Sequence, residues 1–241
     1  MIYKKDETDT HLIYRLGFFK LKFRKIFNNS IFLVYPNGER KKVKRVKGLN
    51  VKFHGSNNSI LINVPIIKFK DSIIECGNNS NIEIKSSKFL ATNLKIYANA
   101  DNVSLHIGKD FHCENNCSVL LHKEHNLSVS IGDDCMFGTN IQLRTSDAHT
   151  ILDKNTKEVL NTGGSINIGN HVWLAKDVTV LKNVNISDGC IVGTGSIVTK
   201  SLNDKDSLYV GTPAKKVKSD VEWLMASIPQ YQKMNKNMNQ K

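Results

Sequence analysis

The stretch IGNHVWLAKDVTVLKNVNISDGCIVGTGSIV, residues 168–198, carries an aliphatic side chain at every sixth position. A small side chain follows four residues after each of the first five of these positions. The two sets are Ile168, Leu174, Val180, Ile186, Val192 and Val198, and then Val172, Val178, Val184, Cys190 and Ser196. Neither the 3.6-residue period of a helix nor the alternation of a strand produces this spacing. Because a six-residue unit cannot bury a hydrophobic face alone, each unit must stack on the next, which predicts a parallel β-helix.

The composition agrees with a solenoid of narrow cross-section. Of the 241 residues, 40% are hydrophobic but only 7% are aromatic. Stacked inward ladders of Ile, Val, Leu, Ser and Cys leave no room for rings, so we expect aromatic side chains to avoid inward positions. Cys117, Cys135 and Cys190 fall on the small inward position, which predicts free, packed thiols rather than a disulfide framework. The same register explains the spacing of Cys113 and Cys117, so no metal is expected.

The formal net charge of +12 lies at the two ends of the chain. Residues 1–50 contribute +9, residues 51–212 contribute −1 and residues 213–241 contribute +4. We interpret these segments as a basic N-terminal cap region, the β-helix domain, and a C-terminal helix with its tail. A polyanionic partner, such as an acidic glycan or an anionic membrane surface, is one explanation for the basic ends, and solvated termini are the other. No nucleic acid partner is expected, because the basic segments carry no recognised nucleic-acid-binding signature.

Two helices are predicted outside the coils. The run RLGFFKLKFRKIF, residues 15–27, interleaves apolar and basic residues and predicts a basic amphipathic helix, which either caps the first coil or contacts a membrane surface. Ser219 or Asp220 is expected to cap the C-terminal helix. The apolar stripe of that helix would be Val221, Leu224, Met225 and Ile228. No stretch resembles a signal peptide or a membrane span, which indicates a cytoplasmic protein that acts either free or at the inner face of the membrane.

Alternating apolar pairs mark successive coils from residue 51 onwards. The intervals between the second members of these pairs, from Ile62 to Ile168, are 22, 23, 24 and 37 residues. A three-sided coil needs about 18 residues, so the last interval holds either two coils or one coil with a loop. The six-residue pattern disappears in TSDAHTILDKNTKEVLNTGG, residues 145–164. This favours a loop extruded from the solenoid, the usual place for function on a regular scaffold.

Four segments, in this order, resemble the hexapeptide-repeat acyltransferases, particularly bacterial O-acetyltransferases that modify sugars of capsular polysaccharide or lipopolysaccharide. They are IGDDCMFGTNIQL, SDAHTILD, INIGNHVWLAKDVTVLKNVNISDGCIVGTGSIVTK and VGTPAKKVK, and the resemblance covers about residues 105–218. It implies an all-β fold, a left-handed parallel β-helix with an extruded loop, to which the cap and C-terminal helix are added. It also implies acetyl-CoA as co-substrate, no metal, and a homotrimer with active sites between neighbouring subunits.

His149 is the candidate general base, because it alone among eight histidines lies in the pattern-breaking loop. A sugar hydroxyl does not ionise at neutral pH, so a base must take its proton during attack on a thioester. The surrounding SDAH also resembles the catalytic segment of the family. Asp147 is one candidate for orienting the imidazole, and a backbone carbonyl is the other. No cysteine or serine in the loop has a paired base, which favours direct transfer over a covalent intermediate.

Trp173 follows the loop at a corner, where its indole is expected to point outwards. The resemblance places the matching tryptophan near the thioester, with the backbone N–H of Ala175 as the more usual oxyanion donor. Small side chains from Gly193 to Ser196 would form a track for pantetheine, and lysines beyond it would pair with the phosphates. The residues assigned to the cofactor are Ala175, Lys182, Gly193, Thr194, Gly195, Thr199, Lys200, Pro213 and Lys216, with Lys215 and Lys218 as alternatives to Lys216.

The leading hypothesis is O-acetylation of a surface polysaccharide or its precursor, with an anionic acceptor favoured by the basic ends. N-acetylation of a nucleotide-linked amino sugar, or acetylation of a small molecule, is the enzymatic alternative. A metal-dependent hydratase resembling γ-class carbonic anhydrase would need three converging histidines, and only His149 lies in a suitable place. A non-catalytic solenoid that binds glycans is a third class.

Overall fold

A computed structural model describes residues 3–7, 11–16, 19–24 and 27–238 of the chain, with side chains from residue 27 to residue 236. The chain winds into a solenoid of three faces, and each complete coil adds one strand to each face. We name the faces one, two and three in the order in which the chain visits them. The corners between them are named one–two, two–three and three–one.

The strands follow one another around the faces in rotation. Face one contains β4 (Ser30–Val34), β5 (Arg40–Val43), β7 (Ser59–Asn63), β10 (Asn81–Ile84), β13 (Ser104–Ile107), β16 (Ser128–Ile131), β19 (Ile166–Ile168) and β22 (Val184–Ile186). Face two contains β8 (Lys68–Lys70), β11 (Leu90–Thr92), β14 (His112–Asn115), β17 (Met136–Thr139), β20 (Trp173–Leu174), β23 (Ile191–Val192), β25 (Leu208–Val210) and β26 (Lys215–Lys218). Face three contains β6 (Leu49–Phe53), β9 (Ser72–Cys76), β12 (Lys95–Ala98), β15 (Ser118–Leu120), β18 (Gln142–Arg144), β21 (Thr179–Val180) and β24 (Ile197–Val198).

Both inward sets predicted from the six-residue spacing are buried, since all their members are 4% exposed or less. On face one the inward ladder continues through every coil in parallel register. Its members are Ile60, Ile82, Leu105, Val129, Ile166 and Val184, each 2% exposed or less. Stacking of like aliphatic side chains thus removes a continuous apolar column from water. The fold is a left-handed parallel β-helix, as predicted.

The interval of 37 residues is one coil that carries a loop. Ile131 pairs directly with Ile168, so the coil from β16 to β19 closes in the ordinary parallel register. The additional residues leave at corner three–one, between β18 and β19. A short antiparallel bridge joins Leu152 to Val159 within them. The solenoid therefore presents this loop on its outer surface.

The expectation that rings avoid inward positions is wrong. Phe111 and Phe137 are each 1% exposed, and their rings meet edge to face with centroids 5.0 Å apart. Room for Phe137 exists because the preceding coils place Cys113 and then Ala91 at the stacked position on face two. Leu174 lies on the other side of Phe137, so the ring fits inside the solenoid because its neighbours in one direction are small.

Strands take the place of the helix predicted for residues 15–27. A three-stranded antiparallel sheet contains β1 (Tyr3–Glu7), β2 (His11–Leu16) and β3 (Phe19–Arg24). The sequence FKLKFR of β3 alternates strictly between apolar and basic residues. That period of two suits a strand better than a helix. Residues 17, 18, 25 and 26 of the predicted helix lie outside the described residues.

The C-terminal helix begins later than the predicted cap at Ser219 or Asp220. The helix α1 spans Ile228–Met238, and Asp220 has a φ of +56°, which no helix interior adopts. Ser227 caps it through a capping box, because its N–H donates to Gln230 Oε1 at 2.7 Å and its Oγ accepts from the Gln230 N–H at 3.4 Å. The predicted stripe residues that precede the helix are Val221, Leu224 and Met225.

Asparagines in the left-handed conformation form a ladder at corner three–one. Asn57, Asn79, Asn102 and Asn126 have φ values from 54° to 62°. Each side-chain amide donates to the next, at 3.2, 2.9 and 3.1 Å along the series. Asparagine tolerates this backbone conformation because its short polar side chain can bond locally. The series reaches the coil directly before the one that bears the loop, so it supports the corner from which the loop leaves.

Antiparallel strands lie at the ends of two faces. On face one β5 pairs with β4, and on face two β26 pairs with β25. Parallel stacking begins where β4 pairs with β7, inside the segment 1–50 that the sequence analysis assigns to a cap. No helix in the described part of the chain combines the length and the hydropathy needed to cross a bilayer.

Candidate functional site

The loop of residues 145–164 leaves the solenoid through two buried hydroxyl side chains. Thr145 Oγ1 donates to the carbonyl of Leu120 at 2.9 Å, and Ser146 Oγ donates to the carbonyl of His122 at 2.8 Å. Both acceptors belong to the coil before the loop. The hydroxyls thus fix the direction in which the chain departs from corner three–one.

The loop returns through two glycines that lie between adjacent coils. The N–H of Gly163 donates to the Glu124 carboxylate, and the N–H of Gly164 donates to the Thr145 carbonyl at 2.9 Å. A Cβ at Gly164 would lie 1.8 Å from Asn183 Oδ1 in the next coil. The Asn183 side chain would have to move to admit any larger residue at Gly164, so the neck of the loop lies close against the next coil.

His149 is exposed just beyond the neck and lines a cavity of about 220 Å³. The preceding residue, Ala148, has a φ of +66° and turns the chain there. Within the described part of the chain no side chain hydrogen-bonds to the imidazole, which leaves it open to a ligand. The residues that line this cavity are Lys123, Glu124, Ala148, His149, Thr150, Val159, Asn161 and Thr162.

Asp147 bonds to the neck of the loop and not to the imidazole of His149. Its carboxylate accepts hydrogen bonds from Lys182 Nζ and, at 3.0 Å, from Asn161 Nδ2. The hydrogen bond from Lys182 holds the pKa of Asp147 below its ordinary value. Lys182 Nζ also donates to the Asn161 carbonyl at 2.8 Å. The structure therefore places Lys182 in the neck, where its ammonium is already paired, and not on a free phosphate site.

Trp173 lies on face two, away from the corner that carries the loop. Its ring is half-buried, and its centroid lies 6.1 Å from that of Trp223. Trp223 stacks on His171 at 4.3 Å and donates its Nε1–H to the His171 carbonyl at 2.8 Å. Together with Met136, the two indoles line a second cavity, of about 290 Å³. Within one chain, His149 and Trp173 therefore belong to different cavities.

Two of the groups expected at the cofactor are already engaged in the coils. The N–H of Ala175 donates to the Val192 carbonyl of the next coil at 2.9 Å. This hydrogen bond between coils occupies the N–H that was expected to stabilise the oxyanion. Ser196 is fully buried, and its Oγ accepts from the Gly211 N–H at 2.9 Å. It faces the interior and does not contribute to a surface track.

The other residues assigned to the cofactor occupy more than one edge of the prism. Gly193, Thr194 and Gly195 lie at corner two–three, where the last two are exposed. Thr199 and Lys200 follow β24 at corner three–one, on the same edge as the loop. Pro213 and Lys216 are exposed near β26, at the end of face two. A single chain does not gather these groups into one groove.

Lys216 forms an ion pair with Asp204 at the end of the solenoid. Its Nζ lies 3.0 Å from Asp204 Oδ2, and this hydrogen bond raises the pKa of Lys216 and lowers that of Asp204. Both side chains are exposed, so the pair contributes little to stability. Lys216 can reach a phosphate only by exchanging this partner.

Trp223 and Asn161 are among the residues of these sites that the sequence analysis missed. Trp223 had an available signal, because it is one of only two tryptophans in a chain poor in rings and lies just after the last coil. Asn161 had none, since it is a polar residue in a polar loop. Its importance comes from contacts that only the path of the folded loop creates.

All five cysteines are free and buried. Burial raises the pKa of Cys76 and Cys135 to about 12 and that of Cys190 to about 11. Neutral, buried thiols are poor nucleophiles, which agrees with direct transfer rather than an acyl-cysteine intermediate. Among the side chains that the structure describes, no three His, Cys, Asp or Glu residues converge on a position for a metal ion.

Comparison with known proteins finds similar acetyltransferases, although no family model matches the chain. Over 188 residues the chain is 29% identical to the polysialic acid O-acetyltransferase of Neisseria meningitidis, which covers 70% of this chain and 86% of that protein. It is 28% identical over 115 residues to the galactoside O-acetyltransferase of Escherichia coli K12, covering 48% of this chain and about half, 54%, of that protein. Among solved structures, a polySia-specific acetyltransferase has the same fold, with a TM-score of 0.62 and 22% identity over 90% of this chain and 96% of that one. With its stacked six-residue units, the chain has the fold of a polySia-specific acetyltransferase and is similar in sequence to sugar O-acetyltransferases.

Proposed function

We propose that the protein transfers the acetyl group of acetyl-CoA to a sugar hydroxyl of a surface polysaccharide, capsular or lipopolysaccharide, or of its precursor. The observation that carries this proposal is the similarity to a polysialic acid O-acetyltransferase along 70% of the chain. The loop on the solenoid supplies the matching chemistry, because it exposes one histidine at the mouth of a cavity. A cytoplasmic location stays a prediction.

The favoured acceptor is an acidic glycan. Polysialic acid, named as the acceptor of the Neisseria relative, carries a carboxylate on each sugar. Lys123 is exposed in the wall of the His149 cavity, where its ammonium can pair with such a carboxylate. The clusters of basic residues at 40–47 and 215–218 lie instead near the two ends of the solenoid. Lys123 is therefore the cation that we assign to the acceptor.

In the proposed reaction His149 acts as the general base. Its imidazole takes the proton of the acceptor hydroxyl while that oxygen attacks the thioester carbonyl. The tetrahedral intermediate then collapses, the carbon–sulfur bond breaks, and the thiolate of CoA takes the proton from the imidazolium. The products are a sugar acetate ester and CoA. No step needs a covalent enzyme intermediate, in keeping with the buried thiols.

We further propose a homotrimer in which neighbouring chains share each site. His149 and Trp173 line different cavities of one chain, so an indole can stand beside the imidazole only when a second copy supplies it. We expect inactive His149→Ala and Trp173→Ala proteins, unfolded together and refolded as a mixture, to regain activity, because some mixed sites hold both native residues. Activity of the mixture no higher than that of the separate variants would contradict a shared site.

The proposed acceptor is tested with a panel of substrates. The protein is incubated with acetyl-CoA and either polysialic acid, a neutral galactoside or a nucleotide-linked amino sugar, and thiol release and product mass are followed. We expect acetylation of polysialic acid, and a several-fold higher KM for this polymer in Lys123→Gln. Lys109→Gln, an exposed lysine at corner one–two, is the matched control and should behave as wild type.

Two outcomes would contradict the proposal. Acetylation of the amino sugar alone would replace O-acetylation by N-acetylation. Equal turnover of the galactoside and of polysialic acid, with no effect of salt, would remove the preference for an acidic acceptor.

A further inference from the structure

The side chain of Asn161 hydrogen-bonds to the main chain on both sides of Thr150. Nδ2 donates to the carbonyl oxygen of His149 at 2.8 Å, and Oδ1 accepts from the N–H of Ile151 at 2.7 Å. One residue of a parallel β-strand makes the same pair of bonds to a neighbouring strand, to the carbonyl before and the N–H after the residue opposite it. The amide of Asn161 therefore does for the His149 segment what an adjacent strand does inside a sheet.

Asn161 is in turn fixed to the solenoid by the following coil. Its own carbonyl accepts from Lys182 Nζ at 2.8 Å, and its Nδ2 also donates to Asp147 Oδ2 at 3.0 Å. Lys182 lies between β21 and β22, its side chain is only 19% exposed, and it bonds Asp147 as well. A continuous set of hydrogen bonds thus runs from the rigid coil through Asn161 to the backbone of His149.

We propose that Asn161 is a positioning residue for the general base: it holds the main chain of His149 at the distance from the solenoid that proton transfer requires. The inference rests on the proposed function, in which His149 is that base. Because no side chain of the described residues hydrogen-bonds to the imidazole, the placement of its backbone decides where the ring stands. A displacement of about 1 Å at a reacting group costs about 100-fold in rate.

Asn161→Ala tests the proposal by removing both bonds to the main chain beside Thr150, together with the bond to Asp147. With acetyl-CoA and polysialic acid as substrates, we expect kcat to fall about 100-fold while the KM for acetyl-CoA stays unchanged. Asn161→Asp keeps the acceptor for Ile151 but loses both donated bonds and adds a charge beside Asp147, so it should lose at least as much activity. Asn155→Ala, an exposed asparagine at the tip of the same loop, is the matched control and should retain full activity.

Amide hydrogen exchange supplies a readout that does not depend on turnover. The N–H of Ile151 donates to Asn161 Oδ1, so in Asn161→Ala we expect it to exchange about tenfold faster, while the core amide of Thr179 is unaffected. Unchanged exchange at Ile151, or an unchanged kcat in Asn161→Ala, would overturn the inference. Full activity in His149→Ala would instead overturn the proposed function, and the exchange at Ile151 would still report whether Asn161 holds the loop.

Discussion

The His149→Ala enzyme is expected to bind acetyl-CoA as the wild type does and to transfer acetyl groups about 10² to 10⁴ times more slowly. The reason is that a sugar hydroxyl keeps its proton at neutral pH. Without a base to take that proton, the oxygen is a poor nucleophile and the barrier to attack on the thioester rises. The measurement is the initial rate of thiol release with polysialic acid, together with calorimetric titration of acetyl-CoA. His149 is exposed, and its imidazole has no hydrogen bond to any side chain that the structure describes, so we expect the substitution to leave the stability of the fold intact.

The chain offers a matched histidine as a control for this loss. His106 lies on face one, is partly exposed, and bonds Glu83 through Nδ1 at 3.1 Å. His106→Ala should therefore keep the wild-type rate. If His149→Ala turned over as fast as His106→Ala, His149 would not be the base, and a non-catalytic role for the loop would be favoured.

Phe137→Ala is expected to lower the free energy of unfolding by about 3–5 kcal/mol, the largest effect on stability that we predict. The ring is 1% exposed and lies against Phe111 in the middle of the solenoid, where removal of its atoms leaves a cavity that the stacked coils cannot close. The midpoint of guanidinium unfolding, followed by circular dichroism, measures the loss.

Two further substitutions serve as comparisons for Phe137→Ala. Phe137→Leu keeps most of the volume and should lose less than Phe137→Ala. Phe27→Ala removes a ring that is 43% exposed and should change stability by less than about 1 kcal/mol. Equal midpoints for Phe137→Ala and Phe27→Ala would show that the column on face two does not hold the coils together.

The coils were predictable because an inward position recurs in every turn, whatever lies outside it. From Ile168 to Val198 an aliphatic residue occupies this inward position at every sixth residue without interruption. The burial of Phe137 could not be predicted in the same way. Its fit depends on the small side chain of Cys113 in the neighbouring coil, and the spacing within one coil does not show that contact. The helix prediction for residues 15–27 was wrong for another reason. The interleaved apolar and basic residues were assigned to a helix, although the residues of β3 alternate with a period of two.

At the candidate site, the sequence singled out His149 but not the residues around it. His149 stood out because it lies in the loop that interrupts a regular pattern. The partners of Asp147 were not, because Lys182 and Asn161 reach it only through the path of the loop between two coils. The engagement of the Ala175 N–H was equally hidden, since a ladder bond depends on the coil stacked beyond it.

The two antiparallel end strands have a consequence for how separate molecules meet. A parallel solenoid presents at each end rows of unpaired N–H and C=O groups that match the opposite end of another molecule, which invites growth into a fibre. At one end of the solenoid β5 reverses direction on face one, and at the other end β26 does so on face two, so each end has one face on which that match is broken. Their sequences, RKKV and KKVK, also give both ends the same sign of charge, so approaching ends repel. Part of the basic charge of the chain therefore protects it from joining end to end, whatever its substrate.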